Sequence, residues 1–223
     1  MIGIISALEP ELRTLAATLE GRVTERRSAL DYHSGTLDGV PCAVCECGVG
    51  KVNAAMHAQI LIDIYCPDAI IFTGVAGALS PKVGYTDTVI GDELVYHDMT
   101  DYVIKTFDPL EAVYRSDSRL VSLADGVCAA LGVKHTVGRI ATGDVFVSES
   151  AEKADIFART EALCTEMEGC AVAHTATLAG VPFVVLRSIS DMADGNAEVD
   201  FPSFLEKASK TSAAVVREMV KCL

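Results

Sequence analysis

The sequence predicts an α/β fold in which helices cover a largely parallel sheet. Short apolar runs alternate with helical patterns along the chain, and glycine or acidic residues directly follow several of those runs. With 223 residues that are 50% hydrophobic, the chain is long enough to bury a substantial core. No repeat, low-complexity segment or linker interrupts residues 1–223, so a single domain is predicted.

The individual elements follow from hydrophobic periodicity and from the residues that start or stop helices. Strands are predicted at residues 2–7, 32–37, 41–47, 69–73, 88–95, 136–142 and 183–190. Helices are predicted at residues 10–19, 52–65, 118–131, 151–159, 169–178 and 201–222. Residues 97–117 mix Asp, Pro, Thr and aromatic residues, which predicts a long surface loop.

Charge and hydropathy exclude several classes of function. The 18 basic and 31 acidic residues give a net charge of −13, the wrong sign for a protein that binds nucleic acid or an anionic membrane. The apolar run at Met1 ends at Glu9, well short of the ~18 residues that a membrane span needs, and no basic segment precedes it. A cytoplasmic location is therefore predicted.

Three of the eight cysteines lie close together in the sequence, and the other five are scattered. Cys42, Cys45 and Cys47 form a C-x-x-C-x-C run, but no second cysteine pair or spaced histidine pair follows to complete a zinc site. Small residues of this kind are typical of a core strand, and scattered free cysteines suit a reducing compartment. The cysteine pattern therefore does not predict a zinc site.

Ligands of α/β sheets bind at the carboxyl ends of strands, so the residues that follow each predicted strand are candidates for the site. These residues are Glu9 and Glu11, the segments GVGK (48–51), GVAG (74–77) and GDVF (143–146), and the strand end RSISD (187–191).

The GVGK segment matches neither of the common nucleotide-binding motifs. It lacks the upstream glycine of a P-loop, Val52 stands where Ser or Thr is needed, and Asn53 stands where a dinucleotide fingerprint requires Gly or Ala. Two interpretations stay open for this segment and for the glycines at 74 and 77: a close backbone approach to a small ligand, or a tight turn. Lys51 is expected to be a solvated charge.

The segment Thr165-Glu166-Met167-Glu168-Gly169 places two carboxylates at the start of a predicted helix that is otherwise small and apolar. Burial of an unpartnered carboxylate costs roughly several kcal/mol. The two groups are therefore either solvated or in contact with something polar.

Seven motifs, in order over nearly the whole chain, resemble those of the 5′-methylthioadenosine/S-adenosylhomocysteine nucleosidases of the nucleoside phosphorylase superfamily. They are IISALEPE (4–11), GVGKVNAA (48–55), TGVAG (73–77), YHD (96–98), GDVFV (143–147), EME (166–168) and RSISD (187–191). The resemblance implies a three-layer α/β fold with a central mixed, partly closed sheet. It also implies hydrolysis, without cofactor or metal, of the N-glycosidic bond of 5′-methylthioadenosine, S-adenosylhomocysteine or related 5′-modified adenosines, with release of adenine and a thioribose. A homodimer is implied as well.

The same resemblance assigns roles to individual residues. Asp191 matches the acid that protonates adenine at N7. The next helical pattern begins only near residue 201, which argues against a role for Asp191 as a helix cap. Glu11 matches the carboxylate that positions and deprotonates the attacking water, and Arg187 helps to hold it. Without the resemblance, Asp191 could cap a helix and Glu11 could be an ordinary residue of a first helical turn.

The remaining positions match substrate contacts. Glu168 and Met167 match the residues that contact the ribose, and Glu166 matches a residue at the edge of that pocket. Phe146 matches the aromatic ring that stacks on adenine. Val147 matches the residue whose backbone meets the edge of the base. Further matches along the nucleoside are Val49, Val75, Ala76, Gly77, Ser190 and Phe201.

Two departures from the family pattern affect the expected activity. Val75 replaces the usual serine, and loss of one neutral hydrogen bond costs roughly 0.5–1.5 kcal/mol, which is about tenfold in rate. Residues 99–115, which include Asp101, Tyr102, Ile104 and Phe107, are shorter than the family loop that caps the 5′-alkylthio pocket across the dimer. The preferred 5′ substituent therefore stays open.

Three alternatives accompany this reading. A phosphorylase is disfavoured because Glu9 and Glu11 stand where a phosphate cradle needs positive charge. A nucleoside-binding protein with weak catalysis is suggested only by Val75. A related hydrolase that acts on futalosine-like or deoxyadenosine-like nucleosides would share the same core residues.

Overall fold

The computed structural model describes residues 1–223, apart from the side chains of Glu11 and Glu198. The strands are β1 (Ile2–Ser6), β2 (Glu20–Arg27), β3 (Leu30–Leu37), β4 (Val40–Glu46), β5 (Ala69–Ala78), β6 (Thr88–Tyr96), β7 (Tyr114–Arg115), β8 (His135–Thr142), β9 (Cys164–Glu166) and β10 (Phe183–Asp191). The helices are α1 (Glu9–Ala17), α2 (Lys51–Tyr65), α3 (Asp101–Thr106), α4 (Ser118–Leu131), α5 (Ser150–Thr160), α6 (Gly169–Ala179) and α7 (Ala197–Lys221).

The strands form one mixed sheet that closes on itself at one end. Strand β5 pairs with β10, and the chain of pairings continues through β6, β8 and β9 back to β5. On the other side of β5 the sheet continues as an open wing through β1, β4, β3 and β2. The predicted mixed, partly closed sheet is therefore confirmed.

Helices cover both faces of this sheet, which gives the predicted three layers. On one face, Ala58 and Leu61 of α2 share an apolar cluster with Val172 of α6 and Phe72 of β5. On the opposite face, a second cluster joins residues of α1, α4 and α7 to β1, β4 and β10, with Leu15, Leu120 and Val216 as examples. The inner strands β1, β5 and β10 are therefore buried on both faces, as their apolar runs require.

Strand β5 changes its neighbour halfway along its length. Residues 69–72 pair with β1, residues 77 and 78 pair with β9, and β10 runs along the other edge from 70 to 77. Residues 73–76 therefore lie where the neighbour on this edge of β5 changes from β1 to β9. Ligands of α/β proteins bind where neighbouring strands diverge in this way.

Several elements differ from the sequence-based predictions. Strand β2 was not predicted because it is largely exposed and charged, without apolar alternation, and pairs as an edge hairpin with β3. Strands β7 and β9 have only two and three residues. The predicted loop at 97–117 contains α3, whose first turn Thr100 caps by accepting a hydrogen bond from the Val103 amide. The segment 74–77, predicted to follow a strand, lies inside β5.

No helix in the described part of the chain is both long and apolar enough to cross a bilayer. All eight cysteines are free thiols, and Cys42, Cys45 and Cys47 are buried, as predicted. Among the described side chains, no group of three or more His, Cys, Asp or Glu residues is arranged to hold a metal ion.

Candidate active site

A cavity of about 250 Å³ lies where β5 changes its neighbour from β1 to β9. The predicted site residues on its wall are Val49, Val75, Ala76, Gly77, Phe146, Val147, Glu166, Met167, Glu168, Arg187, Ser190, Asp191 and Phe201. The side chain of Glu11 lies outside the described part of the structure, so its role stays a prediction. The fold thus gathers segments that are up to 194 positions apart (Ala7 and Phe201) around one cavity.

The carboxylate of Asp191 is buried at the end of β10, with 3% of the residue exposed. Its Oδ1 accepts a hydrogen bond from the Ala193 amide and its Oδ2 one from the Ser190 hydroxyl, both at 2.9 Å. Burial raises the pKa of Asp191, and the charges of Asp200 and Asp194 raise it further, although the two hydrogen bonds oppose this. Asp191 does not cap a helix, because α7 begins at Ala197.

Gly77 allows Asp191 to lie close to β5. A Cβ atom at position 77 would lie 2.6 Å from Asp191 Oδ1 and 3.0 Å from the Ala193 Cβ. Any other residue at this position would displace the carboxylate or the turn that follows it. The sequence left two interpretations of Gly77 open, a tight turn or a close approach of the backbone to a ligand. The structure shows a close approach, but the group that approaches the backbone is the Asp191 side chain of the protein itself.

Glu166 and Arg187 form a buried ion pair. The guanidinium donates to Glu166 Oε2 through Nη2 and, at 3.1 Å, through Nε, and it also stacks on the Phe72 ring at 4.2 Å. The amide of Gly169 donates to the same oxygen at 2.6 Å, and the Thr142 hydroxyl donates to Oε1. Protein groups thus explain the buried charge of Glu166, where the sequence had suggested solvent or a polar ligand.

Glu168 lies between the start of α2 and Arg187. Its Oε1 accepts a hydrogen bond of 2.9 Å from the Gly50 amide, and its Oε2 lies 3.7 Å from Arg187 Nη2. Gly50 has a φ of 96°, a left-handed conformation that glycine adopts without strain. The GVGK segment therefore turns so that a backbone amide meets the cavity carboxylate.

The loop after β8 carries the two residues predicted to hold the base. Val147 is buried, whereas Phe146 is 42% exposed and meets the Phe201 ring edge to face, with ring centroids 5.9 Å apart. These two rings come from distant segments and together cover one side of the cavity.

Lys51 is not the solvated charge that the sequence predicted. Its ammonium lies 2.6 Å from Asp98 Oδ2 and 3.6 Å from Asp144 Oδ2, and only 21% of its side chain is exposed. The Lys51 amide also donates to Asp144 Oδ1 at 2.8 Å, and the Asp144 amide donates to Asp98 Oδ2 at 2.9 Å. These contacts attach the Phe146 loop to the first turn of α2.

Sequence reasoning missed four residues of the cavity wall: Ala7, Leu8, Val145 and Thr165. Ala7 and Leu8 directly follow β1, so the strand-end rule that selected Glu9 and Glu11 would also have found them. Val145 lies inside a quoted motif. Thr165 lies in the segment of the two carboxylates, but a threonine alone carries no signal for a site.

Comparison with known proteins places the chain in a family. The model of the phosphorylase superfamily matches residues 1–221. A 5′-methylthioadenosine/S-adenosylhomocysteine nucleosidase of Chromohalobacter salexigens is 38% identical, with 100% of this chain and 97% of that protein covered. One of Geobacillus thermodenitrificans is also 38% identical, with coverages of 97% and 94%.

Solved structures agree with these sequence relatives. The Neisseria meningitidis nucleosidase in complex with methylthio-immucillin-A superposes with a TM-score of 0.96 at 32% identity, covering 100% of this chain and 99% of that one. The Streptococcus pyogenes S-adenosylhomocysteine nucleosidase in complex with 5-methylthiotubericidin gives 0.95 at 34% identity, with coverages of 100% and 96%. The chain therefore belongs to the 5′-methylthioadenosine/S-adenosylhomocysteine nucleosidase family of the phosphorylase superfamily.

Proposed function

We propose that this protein hydrolyses the N-glycosidic bond of 5′-methylthioadenosine and S-adenosylhomocysteine and releases adenine and a thioribose. The observation that carries the proposal is the buried Asp191, whose pKa is raised by burial and which shares one cavity with Glu168. The family relationship supports the same activity.

Asp191 is proposed to be the general acid. When the bond between C1′ and N9 breaks, its electron pair goes to the purine, which leaves readily only if a proton arrives at N7. Because burial raises its pKa, the Asp191 carboxyl group keeps its proton to a higher pH than an ordinary carboxyl group does, which suits a general acid. Water then supplies hydroxide to C1′ and gives its proton to a base, for which the resemblance proposes Glu11.

The other wall residues are proposed to hold the nucleoside. Glu168 accepts hydrogen bonds from the 2′ and 3′ hydroxyls, and Met167 packs on the sugar. Phe146 stacks on adenine and the Val147 backbone meets its edge, since aromatic faces and backbone groups are the usual contacts of a flat heterocycle. The apolar wall consists of Val49, Val75, Ala76, Gly77 and Phe201. Ser190 holds the carboxylate of Asp191 in place, and Arg187 holds that of Glu166.

Hydrolysis is favoured over phosphorolysis by the charges in the cavity. Among the described wall residues, Arg187 is the one basic side chain, and it is paired with Glu166. A phosphate ion would therefore meet two carboxylates without a dedicated cation, which is unfavourable in a partly desolvated site.

The decisive experiment measures adenine release from 5′-methylthioadenosine in phosphate-free buffer. Wild type should release adenine, and Asp191→Asn should lose on the order of 10²–10⁴ in kcat while it still binds the substrate in calorimetry. A strict requirement for phosphate would instead identify a phosphorylase. Binding without release by wild type would identify a nucleoside-binding protein, and a panel of 5′-modified and deoxyadenosine-like nucleosides would identify a related hydrolase.

A homodimer is proposed as the working form. Val52 and Met56 of α2 and Leu178 of α6 are 78%, 41% and 58% exposed, which gives this face an apolar surface typical of an interface. Tyr102 in α3 and Phe107 directly after it are also exposed, and the centroids of their rings lie 6.1 Å apart. A monomeric mass in sedimentation with full activity would contradict the dimer.

The free thiols support a reducing, cytoplasmic location, which is proposed on that ground. The single domain is likewise proposed, and it is supported by the sheet, which takes strands from both ends of the chain. Limited proteolysis that released a stable fragment would contradict the single domain.

A further inference from the structure

The hydroxyl of Thr165 is a buried polar group that the proposed mechanism does not use. Thr165 is 5% exposed, and no atom of the described residues forms a hydrogen bond with its Oγ1. Three other buried side-chain atoms share this property, on His97, His174 and Ser209. Of the four residues, Thr165 alone lines the cavity. Buried hydroxyl groups nearly always have a partner, so this one requires an explanation.

The strand register places Thr165 opposite Asp191. Gly77 of β5 pairs with Thr165 of β9 on one side and with Asp191 of β10 on the other. Residues paired across a sheet project to the same face, and all three line the cavity. Neighbouring strands lie about 4.8 Å apart, so the backbones of Thr165 and Asp191 are separated by about 10 Å. Gly77 has no side chain, and the Asp191 carboxylate occupies the room that this leaves beside β5.

The chemistry of adenine then indicates which atom meets Thr165. Asp191 is assigned to N7, and the Val147 backbone to the edge that carries N1 and the amino group. N3 is the ring nitrogen that stays unassigned; it accepts hydrogen bonds and lies across the ring from N7, beside the glycosidic bond. Thr165 lines the same cavity as Met167 and Glu168, the residues assigned to the sugar side of the nucleoside.

We infer that the Thr165 hydroxyl donates a hydrogen bond to N3 of the purine. The inference rests on the proposed function for its choice of ligand. The hydroxyl and methyl groups of threonine exchange places by rotation about χ1 between staggered positions, so the donor reaches the ligand without backbone movement. A hydrogen bond at N3 draws electron density from the ring and stabilises the departing base together with the proton at N7.

The test combines a change in the protein with a change in the ligand. Dissociation constants of adenine and 3-deazaadenine are measured by calorimetry for wild type, Thr165→Val and Thr165→Ser. Valine keeps the shape of threonine without the hydroxyl, and serine keeps the hydroxyl. The ratio of the dissociation constants of 3-deazaadenine and adenine measures the contribution of N3. This ratio should be about two- to tenfold larger for wild type and Thr165→Ser than for Thr165→Val. Thr165→Ala replaces the valine variant if valine lowers the thermal midpoint.

An equal effect of the missing N3 in wild type and Thr165→Val would overturn the inference, because the other effects of 3-deaza substitution are common to both proteins. The same result in kcat/KM, with 5′-methylthioadenosine and its 3-deaza analogue, extends the test to the reaction. Failure of the proposed function is seen separately: wild type would release no adenine, while the calorimetric comparison would still decide the role of Thr165.

Discussion

The guanidinium of Arg187 and the carboxylate of Glu166 face each other with only 1% and 2% of their side chains exposed. Removal of one partner leaves a buried charge without compensation, which typically costs about 3–5 kcal/mol. Glu166→Ala should therefore lower the free energy of unfolding in urea by that amount. Glu206→Ala, which breaks the exposed pair with Lys210, serves as the control and should change little. Similar losses in both variants would contradict the importance of burial.

Asp191→Asn should stabilise the protein in a pH-dependent manner. Burial raises the pKa of Asp191 above its ordinary 3.8, so the folded protein holds this proton more tightly than the unfolded chain does. The stabilising contribution of Asp191 is complete below pH 3.8 and is lost as the pH rises through the raised folded value. The difference in thermal midpoint between variant and wild type should grow over that window and then stay constant. A difference independent of pH would contradict the raised pKa.

Gly77→Ala should reduce activity far more than stability. The added methyl group would displace the Asp191 carboxylate, from which it would lie 2.6 Å. A displacement of this kind in a catalytic group costs on the order of a hundredfold in kcat/KM. Gly126→Ala in α4 is the matched control, since a Cβ there meets nothing within 4 Å. That variant should keep full activity and gain about 0.5–1 kcal/mol of stability; a Gly77→Ala enzyme as active as this control would exclude the steric role.

Asp144→Ala should weaken both the start of α2 and the binding of nucleoside. The Asp144 carboxylate accepts the Lys51 amide at 2.8 Å, and side-chain acceptors at helix N-termini contribute about 0.5–2 kcal/mol. Because the same loop carries Phe146, KM should also rise. Asp144→Asn keeps the accepting oxygen and should retain most of both properties. If the two variants lose equally in thermal unfolding and in KM, the ion pair with Lys51 holds the loop instead.

Most of the site residues selected from the sequence line one cavity, and several of them follow a positional rule. Asp191 and Phe146 lie at or just after strand ends, and the resemblance supplied their roles. The partners of charged residues could not be predicted in this way. Lys51 pairs with Asp98 and Asp144, and Glu166 with Arg187, across separations that no local periodicity encodes.

The short or exposed strands escaped prediction for a related reason. Strand β2 is held by its pairing with β3, and β9 by its pairing with β5 and β8, so neither needs an apolar pattern of its own. For Gly74 and Gly77 of β5 the sequence left both a tight turn and a close approach open; the strand continues through both glycines, and Gly77 gives room to Asp191. Tertiary contacts decide these positions, and a local pattern does not contain them.

Strand β5 has all ten residues buried and hydrogen bonds to β1, β9 and β10. The amide protons of β5 that are bonded to these strands can reach water only when the closed part of the sheet and the open wing separate together. Hydrogen exchange at these amides should therefore proceed only through global unfolding, and its rate reports the stability of the whole molecule. The backbone beneath the proposed catalytic centre is thus the part of the protein that opens last.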